Sequence, residues 1–158
     1  MRLLLFVMLS VGMLATSCSK KKSTVAMRSV QQNNNLDSAV GMTAKIGTLN
    51  WSTDSVYAYR IQYGGNSSMT DLYISGSMRI NDTPSTISFT IVDYKGPDNY
   101  IISPPQVSAT YYVGNDRHFA TLGAINITAD SPYAVVGRFN FTADTVIVSE
   151  GTFNVAKP

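Results

Sequence analysis

The sequence predicts an all-β domain, an antiparallel β-sandwich or flattened barrel of about eight to ten strands, behind a leader and a flexible tether. Three observations carry that expectation. First, Gly123-Ala124-Ile125-Asn126-Ile127-Thr128-Ala129-Asp130 is answered by Gly137-Arg138-Phe139-Asn140-Phe141-Thr142-Ala143-Asp144, and both copies alternate apolar with polar residues. That is the period of a strand with one buried face. Second, short runs of the same alternation recur from residue 41 onward, separated by Gly, Asn, Asp and Pro turns. Third, strand formers dominate: Thr, Val, Ile and Tyr are abundant and no run of helical period alternates with the strands. A parallel sheet is therefore not expected, and each strand should place one face on the core and one in water.

Residues 1–17 read as a signal peptide. Met1-Arg2 is a positive start, and residues 3–15 are uncharged and mostly apolar. Such a run is too short for a bilayer, which takes roughly 20 residues, and has the length of a signal-peptide core. Ala15-Thr16-Ser17-Cys18 follows. Small residues before a Cys at that place resemble the lipobox of bacterial lipoproteins, with Leu14 one position earlier than the usual Leu. The resemblance implies cleavage before Cys18 and its acylation, leaving 141 residues held at a membrane. Cys18 is the sole cysteine, so a disulfide within the chain is excluded. Ser19 rather than Asp follows it, which by the same resemblance implies the outer membrane. Lys20-Lys21-Lys22 suit anionic headgroups and stand where surface-exported lipoproteins carry acids, favouring the periplasmic face.

Residues 18–40 read as the lipidated Cys and a flexible tether, with Gln31-Gln32-Asn33-Asn34-Asn35 of low complexity and a short helix at 25–30 the one local alternative. The basic surplus behind the formal charge of +2 lies in the leader and tether, in Arg2, Lys20, Lys21, Lys22 and Arg28. From Gly41 onward seven basic residues face nine acidic ones, a net of −2, so the domain offers no basic face for nucleic acid.

The domain, 41–158, opens with a strand at 42–46, turned by Gly47-Thr48-Leu49-Asn50. Residues 51–63 read as one long strand, and Gly64-Gly65-Asn66-Ser67-Ser68 as a turn. Leu72, Ile74, Gly76, Met78 and Ile80 then alternate with Tyr73, Ser75, Ser77 and Arg79. Asn81-Asp82-Thr83-Pro84 closes that strand, and Ile87, Phe89 and Ile91 form the buried side of the next. Residues 93–99 read as loop, 100–102 as a brief strand stopped by Pro104-Pro105, and 109–113 as a strand before the Gly114-Asn115-Asp116 turn. The two repeat copies follow as a hairpin, with Ile125, Ile127, Phe139 and Phe141 inward and Asn126, Thr128, Asn140 and Thr142 outward. A last strand pair, 145–149 and 152–155, changes apolar parity at Ser149-Glu150-Gly151, which reads as a bulge.

Lys45-Ile46-Gly47 with Asn50-Trp51-Ser52, then Leu72-Tyr73-Ile74-Ser75-Gly76-Ser77, then Gly137-Arg138-Phe139-Asn140-Phe141-Thr142-Ala143 with Val146-Ile147-Val148-Ser149-Glu150-Gly151-Thr152-Phe153-Asn154-Val155 carry a family resemblance. Together they resemble a family of small, uncharacterised Bacteroidota lipoproteins that pair a lipoprotein leader with a β domain. The resemblance spans the mature domain and implies fold and localisation. Its motifs are structural, so it implies no catalytic or ligand residue.

Few residues offer chemistry. His118 is the only histidine and stands beside Arg117 at a strand start, as a surface residue would. No Gly-x-Ser-x-Gly elbow occurs, and a zinc site needs more His or Cys ligands than are present. Asp82, Asp93, Asp98, Asp116, Asp130 and Asp144 all stand at predicted turns, where Asp bonds local backbone. Asp93, Asp98 and Asn99 around Gly96 match no EF-hand spacing. No enzyme activity, metal or cofactor is expected. Aromatics are the better candidates, since Tyr joins an apolar ring to a polar tip and suits sugar or protein recognition. Tyr57, Tyr59 and Tyr63 share one parity, as do Tyr111 and Val113, and Tyr57, Tyr59, Tyr63 and Tyr111 are the expected binding face. Asp37-Ser38-Ala39, Asp54-Ser55-Val56 and Asp144-Thr145-Val146 resemble the Asp-(Ser/Thr)-apolar acceptor of O-glycosylation in Bacteroidota, which makes Ser38, Ser55 and Thr145 candidate acceptors. The function expected is an outer-membrane-anchored, non-enzymatic domain that binds an envelope protein or glycan. The alternative is a lipocalin-like barrel holding a small apolar ligand.

Overall fold

Alternation becomes architecture in a computed structural model that describes residues 40–63 and 69–158. Ten strands form: β1 (Gly41–Ile46), β2 (Leu49–Thr53), β3 (Val56–Gln62), β4 (Thr70–Ile80), β5 (Thr83–Ile91), β6 (Asn99–Ile101), β7 (Val107–Val113), β8 (Asp116–Asp130), β9 (Ala134–Ala143) and β10 (Val146–Ala156). Every pairing is antiparallel, in the order β2-β1-β10-β9-β8-β7-β5-β4-β3, with β6 laid on β8. The sheet curls strongly into a half-barrel, consistent with the expected β-sandwich or flattened barrel. No helix among the described residues is long and apolar enough to cross a membrane. Cys18, Ser38, the 25–30 segment and the expected turn at 64–68 lie outside the described residues.

The repeat forms the centre. β8 and β9 pair with Ile125 opposite Phe139 and Ile127 opposite Gly137. Ile125, Ile127, Phe139 and Phe141 are all buried, while Asn126, Thr128 and Asn140 are exposed and Thr142 is half-exposed. The Phe139 ring meets Phe89 of β5 at 4.7 Å between centroids and Phe153 of β10 at 6.2 Å. Aromatic pairs at such separations add about 0.5–1.5 kcal/mol beyond the area they bury. Trp51 belongs to the same core, 1% exposed, its indole N–H donating to Ser85 Oγ at 2.9 Å. The bulge stands where parity changes: β9–β10 pairing shifts between Val148 and Gly151, and Glu150 has φ of 50°. Gly151 is required there, because a Cβ would lie 2.5 Å from the Phe139 ring.

One expected element is corrected. Residues 51–63 are not one strand but β2 and β3, which sit at opposite ends of the sheet order. The chain breaks at Asp54 and Ser55. Ser55 N–H donates to Thr53 Oγ1 at 3.0 Å, Val56 N–H donates to Asp54 O at 3.0 Å, and the ladder resumes with β4 as partner. Burial changes parity across the break, from Trp51 to Ala58.

Candidate functional site: the outer face of β3, β4, β5 and β7

The site is built by register. On the face away from the core, Tyr59 stands opposite Tyr73, and Tyr57 opposite Ser75. Ser75 stands opposite Ser88, and Ser77 opposite Thr86. Ser88 stands opposite Thr110, and Thr86 opposite Tyr112. Short hydroxyl side chains thus make the floor, with Ser75, Ser88 and Thr110 buried in it and Ser77 and Thr86 half-buried, and tyrosines stand at its sides. The result is a groove of about 380 Å³ whose lining includes Tyr57, Tyr73, Ser75, Thr86, Ser88 and Tyr112.

Tyr57, Tyr59 and Tyr73 form one aromatic cluster. Tyr57 and Tyr59 are parallel to within 4° at 6.3 Å, and Tyr73 lies 4.9 Å from Tyr59 and 5.9 Å from Tyr57. Tyr57 is 50% exposed and Tyr59 42%. Burial first, and then hydrogen bonding with Tyr57, raises the Tyr73 pKa above its ordinary value, so its hydroxyl stays neutral; Ser75 and Ser88 lie within reach of it. Ser77 Oγ and Thr86 Oγ1 share a hydrogen bond of 2.9 Å. At the far side Arg117 stacks its guanidinium over Tyr112 at 5.1 Å and over Phe119 at 4.2 Å.

The expected binding face is thus partly assembled. Tyr57 and Tyr59 are on it. Tyr63 is exposed but lies past the end of β3, donating to Asp71 Oδ2 at 2.8 Å, a bond that raises its pKa. Tyr111 is corrected: at 5% exposure it faces the core, because the register sets Tyr111 opposite Ile87 and Ala109 opposite Phe89, both core residues. Tyr73 and the hydroxyl floor were not among the expected site residues. Their signal was present in the alternation of Tyr73, Ser75 and Ser77 with Leu72, Ile74 and Gly76, but that pattern alone does not show which strands lie beside it.

A second polar cluster centres on Asp130, which the sequence places at a turn. Its carboxylate instead accepts from Arg60 of β3 and from Lys157, and from the Tyr94 hydroxyl at 2.9 Å. Burial pushes Asp130 upward, but hydrogen bonds from Lys157 and Tyr94 and the charges of Arg60 and Lys157 outweigh it and hold its pKa below the ordinary value. Tyr94 is driven up, by burial and then by Asp130. Asp82, Asp93 and Asp144 take φ of 64°, 53° and 54°, the left-handed backbone of turn residues, whereas Asp116 is the first residue of β8. His118 is partly exposed, with Nδ1 3.0 Å from Asp144 Oδ2. Ser55 and Thr145 are both exposed. Among the described residues no group of three or more His, Cys, Asp or Glu could hold a metal ion.

Comparison with protein-family models, with curated proteins and with solved structures returned no match for this chain.

Proposed function

We propose that this chain is an outer-membrane lipoprotein, anchored through Cys18 on the periplasmic face, whose β domain is a non-enzymatic recognition module for an envelope component. The observation that carries the reading is the exposed cluster of Tyr57 and Tyr59 with Tyr73, on the water-facing side of the sheet. Exposed tyrosines grouped on one rigid face are costly to leave in water and are enriched where proteins bind partners. The interior supports the same reading over a ligand-holding barrel. Phe89, Phe139, Phe141, Phe153 and Trp51 fill the space between the curled walls where an apolar ligand would have to lie.

Two measurements test it. Wild-type protein should fractionate with outer membranes and incorporate labelled palmitate, and Cys18→Ala should be released to the soluble fraction; a Cys18→Ala protein that stays in the membrane sinks the anchor. Pull-down from solubilised envelope with the tagged full-length protein should enrich a component that the Tyr57→Ala/Tyr59→Ala double variant does not. Equal capture by both proteins sinks the binding face.

A further inference from the structure

We propose that the groove on the outer face of β3, β4, β5 and β7 is a carbohydrate-binding site, and that its ligand class is a neutral glycan chain. The inference rests on the reading of this face as the binding surface and supplies the chemistry of the partner.

Ser75 and Ser77 on β4 and Thr86 and Ser88 on β5 stand side by side in register, with Thr110 of β7 beyond Ser88. Each hydroxyl donates one hydrogen bond and accepts two. Ser75, Ser88 and Thr110 are buried in the floor, Ser75 donating to Ile87 O at 3.4 Å and both Ser75 and Ser88 bonding the Tyr73 hydroxyl, while Ser77 and Thr86 bond each other at 2.9 Å. Ser77 and Thr86 are half-buried, and this pair keeps neutral donor and acceptor capacity at the open surface of the groove. The ligand that matches this uncharged floor carries hydroxyls of its own.

The walls supply the second half. Tyr57 and Tyr73 bound the floor on the β3 side and Tyr112 on the β7 side. Three strand spacings separate β3 from β7, about 14 Å, which leaves room for a few sugar rings in line. A pyranose has polar edges and apolar C–H faces. Its edges suit the hydroxyl floor, and its faces suit tyrosine rings, whose electron-rich surfaces attract weakly positive C–H groups.

Charge decides against other ligands. None of the described residues lining the groove is charged. A phosphorylated or strongly anionic ligand calls for Lys or Arg, and a nucleic acid calls for a basic track. Arg117 lies beyond Tyr112 with its guanidinium already stacked on two rings. A protein partner would be expected to find an apolar anchor pocket at the centre of the contact, whereas here the centre is serine and threonine.

The test is a titration of the full acylated protein in detergent micelles, followed by amide NMR shifts. The probes are cellohexaose, maltohexaose and chitohexaose, with an oligogalacturonate of equal length as the anionic control. At least one neutral hexasaccharide should give saturable shifts confined to β3, β4, β5 and β7, and the oligogalacturonate should bind more weakly. Tyr57→Ala should weaken that binding about tenfold, the size of one lost aromatic contact, while Tyr57→Phe should stay within about threefold of wild type. Thr86→Val, which keeps shape and removes a hydroxyl, should also weaken it. An absence of saturable shifts with all three sugars, shifts centred elsewhere, stronger binding of the uronate, or no effect of Tyr57→Ala overturns the assignment. If the sugars fail but the double tyrosine variant still abolishes envelope capture, the glycan class falls and the recognition face stands. If capture is also unaffected, both fall.

Discussion

Asp130 is nearly buried, its side chain 6% exposed, yet it holds Arg60, Lys157 and the Tyr94 hydroxyl together. These partners come from β3, from the C-terminal end of the chain and from the loop after β5, so one carboxylate ties three separate segments. Arg60 is 43% exposed and can turn to water, so the loss on removing the charge falls mainly on Lys157 and Tyr94. Asp130→Asn should therefore cost about 2–3 kcal/mol at neutral pH in urea unfolding followed by Trp51 fluorescence. The pH dependence follows from the sign of the shift. The folded-state pKa lies below the ordinary 3.8, so the contribution is present above that value and is lost as pH falls through the lower folded value. Wild-type stability should fall across that acid window, and Asp130→Asn should lose less there. An unchanged acid limb in the variant would assign the effect to other carboxylates.

At the scale of elements, turns and bulges set where the ladders end. β4 and β5 are joined by Asn81 and Asp82, with φ of 47° and 64°, the backbone of a two-residue hairpin turn that favours glycine at its second place. Arg79 bonds the backbone oxygen of Asp82, which any residue there retains. Asp82→Gly should thus raise stability by about 0.5–1 kcal/mol, or roughly 2–6 °C in Tm. A lowered Tm would show that the Asp82 side chain contributes more than its strain costs. The β8–β9 hairpin, its inward Ile and Phe residues and the Glu150 bulge were legible because period-two patterning names the buried face once one strand is anchored. The break at Asp54 and Ser55 was not, since neither Gly nor Pro marks it and strand formers flank it on both sides. Only the change of buried parity between Trp51 and Ala58 betrays it. Tyr111 was misplaced for a related reason. Tyr suits either face of a sheet, and in Tyr111-Tyr112 the pattern is symmetric until the neighbouring strands are known. The groove was hidden in the same way: serine and threonine on one strand are ordinary, and become a floor only when β4 and β5 align them.

Across the whole molecule, the first strand pairs with the last. β10 lies between β1 and β9, so it is the only ladder that joins β1 and β2 to the rest of the sheet order. A chain ending at Asp144 should lose cooperative urea unfolding altogether, whereas loss of Lys157 and Pro158 alone should leave the transition cooperative and weaken only the Asp130 cluster. A cooperative transition in the shorter chain would show that β3 to β9 form an independent core. The same topology has a mechanical meaning. If the protein is held at a membrane by its N-terminal side, as proposed, any pull reaches the domain at Gly41 and runs along β1. That strand is bonded on both edges, Gly41 lying opposite Asn154 and Met42 opposite Thr53, with the bonds set across the direction of pull. Tension would load both ladders together in shear instead of opening them one bond at a time, so the domain should withstand tugging at its tether better than it withstands peeling from β3.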